Sequence, residues 1–367
     1  MTGAAAVLAG FSGLCVIVHG SSGCYYYPRS LLKVPLYSTY LLESEIVFGT
    51  VERLREVVNE LGKTGQPVAV LNTCVPALTG EDLHAAFADS ADPAALLVDA
   101  PGFCGNAEEG MRRAYAALAP DVGEECDGVN IEGLSLLDLF CRGNCFEAER
   151  LLAAMNVPVA VKFARDSYER LRKGAALWSV SVNPSADAGV GVPLGSLLFC
   201  DLPETVRRIE EVVPYANADP VLQEWERAEE QIFYACDKYL RKFSPPVVAV
   251  LAQEGYAVCA KQMMERYFGS DVPVVFARDT GAGRIPCSVD FSRISAEIAR
   301  VDPDLILGST FERQAFPQKA FFGITPPDRS RISLAARPFA GIEGGLTLME
   351  GALNALMNLH AAKERKK

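Results

Sequence analysis

Nine short apolar runs recur along this chain, and none of them alternates polar with apolar residues. They read "GLCVIVHG", "PVAVLNT", "ALLVDAP", "GVNIEGL", "VPVAVKF", "ALWSVSV", "PPVVAVLA", "VPVVFAR" and "PDLILGS". A strand that is apolar on both sides must be covered on both faces, which points to parallel sheets between helices. Amphipathic helices separate the runs. In "TVERLREVVNELG", Val51, Leu54, Val57, Val58 and Leu61 fall on one face, with Thr50 placed to cap the start and Gly62 to stop the end. The pattern predicts an α/β fold of parallel sheets, each flanked by helices.

At 367 residues the chain is too long for one small core, and shifts in composition divide it into three such units. The first covers residues 1–127 and ends where "GEECDG" breaks the pattern. The second covers residues 128–215. The third, residues 216–367, opens with the long charged helix "PVLQEWERAEEQIFYACDKYLRKF", and the basic tail "KERKK" is expected to be solvated and frayed. A formal charge of −11 argues against a binder of phosphate backbones, so no nucleic-acid partner is expected. No apolar run approaches the roughly 18 residues of a membrane span, and the opening "MTGAAAVLAG" lacks the basic flank of a signal peptide. The expectation is a cytoplasmic protein without membrane attachment.

Eleven cysteines is a high number for such a protein, and their spacing fits neither a zinc site nor a thioredoxin-type pair. An odd number also fits poorly with a complete disulfide framework. Cys15, Cys200, Cys236 and Cys259 sit inside apolar strand or helix patterns and read as core filler. Cys141 and Cys145 stand four apart at a turn entering a helix, but no further ligand type lies near them in sequence.

Three other cysteines follow strand ends in the first unit: "VIVHGSSGC" delivers Cys24, "VAVLNTC" delivers Cys74 and "LLVDAPGFC" delivers Cys104. In parallel α/β sheets the loops leaving the carboxyl ends of the strands converge on one edge, where ligands collect. Glycines in two of these loops allow the backbone to approach a bulky group closely. Three thiols on one edge point to soft-ligand chemistry, above all an iron–sulfur cluster; separate cysteines near strand ends are the plain alternative.

The segments "VHGSSGCYYY", "NTCVPALTGEDL", "DAPGFCGNAEEG" and "RPFAGIEGGLTLME" resemble, in order, motifs of the nitrogenase component 1 family. That family includes the nitrogenase catalytic subunits, the scaffold pair that assembles their cofactor, protochlorophyllide reductase and the methanogen nickel-sirohydrochlorin reductive cyclase. The resemblance implies three Rossmann-like domains and a metallocluster, 4Fe-4S or larger, held by cysteines at a subunit interface. It further implies electron delivery by an ATP-dependent iron–sulfur partner. Cys24 and Cys74 match ligand cysteines of the family, and Cys104 falls where some relatives also place one. A homodimer, or a heterodimer with a homologous chain, is the implied assembly.

Two departures accompany the resemblance. The family's further ligand cysteine, upstream of a segment like "TGAAAVLAG", is absent from a chain that opens at Met1: either Met1 is not the natural start or the fourth donor comes from elsewhere, with Asp99 or Ser22 as poorer candidates. The nitrogenase cofactor histidine corresponds to Ala340, and "WSVSVNPSADAG" lacks the cofactor cysteine, so nitrogen fixation is not expected.

Among the remaining residues, His19 reads as a structural hydrogen-bonding group. Tyr25, Tyr26 and Tyr27 seal the cluster or line a planar tetrapyrrole site, and Glu81 with Asp82 opens the helix after Cys74. "RDTGAGRIP" lacks the Walker lysine and reads as a loop, which leaves ATP to a partner. Two functions follow. One is a nitrogenase-like reductase component that passes electrons through its cluster to a small organic molecule, with a tetrapyrrole as the leading substrate. The alternative is a scaffold on which a metallocluster is built and handed on.

Overall fold

Each of the nine apolar runs forms a strand, and every strand pairing within the sheets is parallel. The computed structural model describes residues 1–84, 87, 96–123, 127–279 and 283–364. The first sheet runs Tyr37–Ser38, Cys15–His19, Val68–Asn72, Leu96–Asp99 across its width. The second runs Val192–Ser196, Trp178–Ser181, Val129–Glu132, Val159–Lys162, and the third Asp271–Ala277, Val247–Ala252, Leu305–Gly308, Ala320–Gly323. In all three, the strand that comes first in sequence is flanked by the second and the third, with the fourth outside the third. The same winding is therefore used three times. It leaves a crevice where the chain changes direction, between the loops that follow the first and third strands of each sheet.

Burial explains the missing alternation. All five residues of Cys15–His19 and all five of Val68–Asn72 are buried. One face of the first sheet meets the helix Val51–Gly62 through Leu54 and Val58, which pack with Ile17 and Val70. The other face meets the helices Thr2–Leu8 and Ala107–Leu118, in a core that reaches Val161 and Phe163 of the second sheet. The second and third sheets share one continuous core with the helix Asp219–Leu240, which contributes Val221, Ile232 and Cys236.

Thr2–Leu8 lies against Ala107–Leu118 at a separation only glycine permits. A Cβ on Gly3 would fall 1.9 Å from the carbonyl oxygen of Ala107. This contact delivers residue 1 to the carboxyl edge of the first sheet.

Five strands have no counterpart among the apolar runs. Tyr37–Ser38, Val122–Gly123 and Ala175–Ala176 have two residues each, too few to carry a period. Val192–Ser196 contains Pro193 and Gly195 and forms the sheet edge, where a proline's missing N–H is tolerated. Ala320–Gly323 is a four-residue edge strand. The "GEECDG" break lies partly outside the described residues, as do residues 280–282 of the "RDTGAGRIP" loop. Among the described residues, no helix is long and apolar enough to cross a membrane.

Candidate functional site

Cys24 sits in the first turn of the helix Ser22–Leu32, Cys74 is the first residue of the helix Cys74–Thr79, and Cys104 ends the short 3-10 turn Gly102–Cys104. Their parent strands are neighbours that end in step, with His19 opposite Asn72 and Asn72 opposite Asp99. The first two cysteines flank the crevice of the sheet. Cys24 and Cys74 are half-buried and Cys104 is exposed. The amide of Gly102 donates to Cys74 Sγ at 3.1 Å, tying the third loop to the second, and Ser21 Oγ lies 3.8 Å from Cys24 Sγ. All three thiols, together with Arg113, lie within electrostatic reach of the amino group of Met1.

Glycine leaves room beside these sulfurs. A Cβ on Gly102 would sit 3.3 Å from Cys74 Sγ, and Gly23, next to Cys24, faces open space. The surrounding surface is apolar and exposed at Tyr26, Tyr27, Leu78 and Phe103. Soft donors and cleared approaches on one edge fit the iron–sulfur group that the sequence motifs imply. Among the described residues, no three His, Cys, Asp or Glu side chains are arranged to hold a single metal ion. Asp99 accepts from Asn72 Nδ2 at 2.8 Å and lies 3.9 Å from Arg113, so its carboxylate already has partners. Ser22 is exposed on the first turn of its helix.

Behind the cysteine loops runs a chain of hydrogen bonds centred on His19, which is fully buried. Thr50 Oγ1 donates to Glu81 at 2.9 Å and so accepts from His19 Nε2 at 3.1 Å; His19 Nδ1 then accepts from Thr39 Oγ1 at 3.2 Å. Thr39 Oγ1 accepts from the Gly20 amide, and Thr73 Oγ1 donates to the His19 carbonyl. The imidazole thus fixes the Cys24 loop relative to the segments before and after Cys74. It is a positioning residue with both ring nitrogens occupied, in agreement with the structural role read from the sequence.

Burial pushes the His19 pKa down to about 4, against the opposing pull of the Glu81 charge. The unfolded chain binds this proton near the ordinary value of about 6.5, so between the two values the unfolded state holds more protons. Stability therefore falls as pH drops through that window. Between pH 7 and pH 5 the loss from this residue is about 2 kcal/mol. Urea unfolding at the two pH values should show it, and His19→Gln should remove that part of the pH dependence. An unchanged pH profile in the variant would contradict the assignment.

The neighbouring residues take up the following contacts. Tyr25 packs on Tyr40 with ring centroids 5.1 Å apart, whereas Tyr26 and Tyr27 face solvent and seal nothing within this chain. Glu81 follows Gly80, the cap of the Cys74 helix, and accepts from the Thr50 amide at 2.7 Å; it serves the start of Val51–Gly62 across a long sequence separation. The helix that Glu81 and Asp82 were expected to open lies largely outside the described residues. Thr50 does cap Val51–Gly62 by position, but its hydroxyl is committed to Glu81.

Six of the other cysteines behave as packing groups. Cys15, Cys236 and Cys259 are buried and Cys200 is half-buried. Burial pushes the thiols of Cys141 and Cys145 up to about 12 and about 11, as befits thiols packed in a core. Ala340 is buried beside Phe339, whose ring stacks on Tyr256 at 4.1 Å. The amides of Phe339 and Ala340 both donate to Asn144 Oδ1, at 2.7 and 2.9 Å.

A family model for nitrogenase component 1 type oxidoreductases matches residues 1–357. The nitrogenase molybdenum-iron protein beta chain of Frankia alni is 28% identical over 174 residues, covering 45% of this chain and 31% of that one. The nitrogenase iron-molybdenum cofactor biosynthesis protein NifE of Methanosarcina barkeri is 26% identical over 247 residues, covering 59% of this chain and 50% of the relative. NifE of Rippkaea orientalis is 32% identical over 134 residues, 33% of this chain and 28% of its own length. The matched stretches thus span between about a quarter and a half of these relatives. In fold, the chain is similar to a solved structure titled nitrogenase Cp1 at pH 6.5, with a TM-score of 0.80 over 97% of this chain and 91% of that one at 16% identity. With the three parallel sheets, the ordered motifs and the match across nearly its whole length, the chain belongs to the nitrogenase component 1 type oxidoreductase family.

Proposed function

We propose that this chain is one subunit of a scaffold on which an iron–sulfur metallocluster is assembled and then passed to an acceptor. Cys24 and Cys74 are the proposed ligands, with Cys104 as an auxiliary thiolate. One observation carries the reading: the thiols stand at an open edge, graded from half-buried to exposed, without a closed set of donors among the described residues. A cluster whose donor set closes only across a subunit interface can be released when the subunits part, whereas a cluster retained through turnover needs a full and enclosed ligand shell. The NifE relatives support the same direction, being named for cofactor biosynthesis. Ala340 and the cysteine-free segment Trp178–Gly189 add that the nitrogenase cofactor ligands are not provided here.

A reductase component is the second reading, and one feature favours it. A groove of about 610 Å³ beside the Cys24 helix is lined by Tyr25, Tyr37 and Tyr40 together with Arg53, Glu56 and Glu60, with Arg53 paired to Glu56 at 3.0 Å. Aromatic walls suit the face of a planar molecule such as a tetrapyrrole. In that case an ATP-dependent iron–sulfur protein would dock near the first sheet, since electron transfer requires proximity, and the bound cluster would store and pass single electrons.

Anaerobic reconstitution followed by mixing with a cluster-free acceptor separates the two. A scaffold loses its iron and sulfide to the acceptor in a single stoichiometric step. Retention of the cluster through repeated ATP-dependent reduction of a tetrapyrrole would overturn the scaffold reading and establish the reductase.

A further inference from the structure

In the first and third sheets the link from the third strand to the fourth contains a helix, Cys74–Thr79 in one and Thr310–Ala315 in the other. The second sheet makes the same connection, residues 182–191, with nothing longer than the 3-10 turn Pro184–Ala186. Beside this shortened link, at the carboxyl edge of the sheet, lies a cavity of about 360 Å³. Ser181 and Ser196, the last residues of the two strands, line it together with Asp187 of the link, Thr205 of the helix Leu202–Val212 and Arg284 of the third unit.

The floor is polar, and its residues Glu132, Ser181 and Thr205 are buried. Ser181 donates its hydroxyl hydrogen to Asp187 at 2.5 Å and Thr205 donates to the Ser196 carbonyl at 2.7 Å, so both oxygens are left as acceptors. Glu132 is held by the amides of Gly189 and Val190 and lies within electrostatic reach of Asp187. Tyr115, 4% exposed, brings a hydroxyl without a hydrogen-bond partner into electrostatic reach of the same two carboxylates. The rim carries opposite charges side by side. Arg208 is paired with Glu204. Arg284 lies within electrostatic reach of Asp201 and approaches Glu254 to 4.0 Å, the outer limit of an ion pair.

The cavity therefore presents an anion and a cation next to each other at its mouth, with a surplus of acceptors below. An α-amino acid carries the complementary pair, its ammonium and carboxylate on one carbon. Further in, two carboxylates and hydroxyl oxygens favour a ligand end that bears N–H groups and positive charge. Among the described residues no three His, Cys, Asp or Glu side chains converge as they would on a metal ion, which points to an organic cation. The volume falls in the range of small-molecule sites. We propose that this cavity binds a basic α-amino acid, its carboxylate on Arg284, its α-ammonium on Asp201 and its side-chain cation between Asp187 and Glu132. The site draws on the second and third units, stands apart from the cysteine edge and depends on no role assigned there.

Calorimetric titration of the full chain with L-lysine and, separately, with L-arginine tests the proposal. The expected result is saturable one-to-one binding of at least one of them. The decarboxylated counterpart, cadaverine or agmatine, should bind about tenfold more weakly or worse, because it lacks the group that Arg284 grips. Nonspecific attraction to a chain of net charge −11 would rank the two the other way, since the decarboxylated molecule carries more positive charge. Arg284→Gln should raise the Kd about tenfold or more and erase the preference for the amino acid, whereas Asp187→Asn should weaken the amino acid and its counterpart alike. Asp187 and Arg284 are both exposed, so the variants should melt with the parent. No saturable binding of either amino acid, a decarboxylated counterpart that binds as tightly, or an unchanged Kd in both variants overturns the proposal.

Discussion

Cys24→Ala and Cys74→Ala should each abolish the oxygen-labile iron and sulfide that the anaerobically reconstituted parent takes up. A cluster thiolate has no ready replacement, because the nearby oxygen donors are harder ligands and Asp99 is already engaged by Asn72. The two residues flank the crevice of the first sheet, and Cys74 Sγ already receives an amide hydrogen bond, the kind of contact that tunes a bound sulfur. Cys104→Ala should have the smaller effect, since this exposed side chain ends a three-residue turn. Iron and sulfide analysis with electron paramagnetic resonance reads all three variants. A full, spectroscopically unchanged cluster in Cys24→Ala or Cys74→Ala would remove that residue from the ligand set.

The second large effect concerns assembly. A 4Fe-4S cluster takes four thiolates, and two strong candidates per chain reach that number only when two chains meet. The exposed side chains around the edge make the same demand in hydrophobic terms: Tyr26 is 73%, Leu78 75% and Phe103 58% exposed. Covering side chains of this size contributes about 1.5–3 kcal/mol each, and twofold pairing is the commonest way to cover such a patch. The loaded protein is therefore expected to be a dimer, with itself or with a homologous chain, holding about four irons per two chains. Chelating the iron should shift the light-scattering mass toward the monomer. A monomer with a complete four-iron cluster would rule out the arrangement and direct attention to Cys104 and Asp99.

The fold was legible wherever a strand is buried on both faces, because an unbroken β-branched run such as "CVIVH" has few other uses. Edge strands such as Val192–Ser196 were not legible, since proline, glycine and exposure erase the apolar run that marks a central strand. The cysteine edge could be read because each thiol follows its strand within a few residues. The relay behind it could not: His19, Thr39, Thr50 and Glu81 are separated by 20 and 31 residues in their contacts, and isolated threonines carry no local signal.

The threefold use of one strand order gives the molecule three equivalent crevices, and beside two of them a buried carboxylate is committed to the chain's own donors. Glu132, ending the first strand of the second sheet, accepts the amides of Gly189 and Val190, both at 2.9 Å. Glu312, after the third strand of the third sheet, accepts from the amide and hydroxyl of Ser309 and from Arg278. Beside the first sheet Glu81 is committed to Thr50 behind the loops, and the cysteine thiols remain half-buried to exposed at the edge. For an engineer wishing to install a second prosthetic group, the edge of the second sheet offers a cavity of about 360 Å³, and Glu132 in its lining, already held by two amides, is the group that would compete with any grafted ligand.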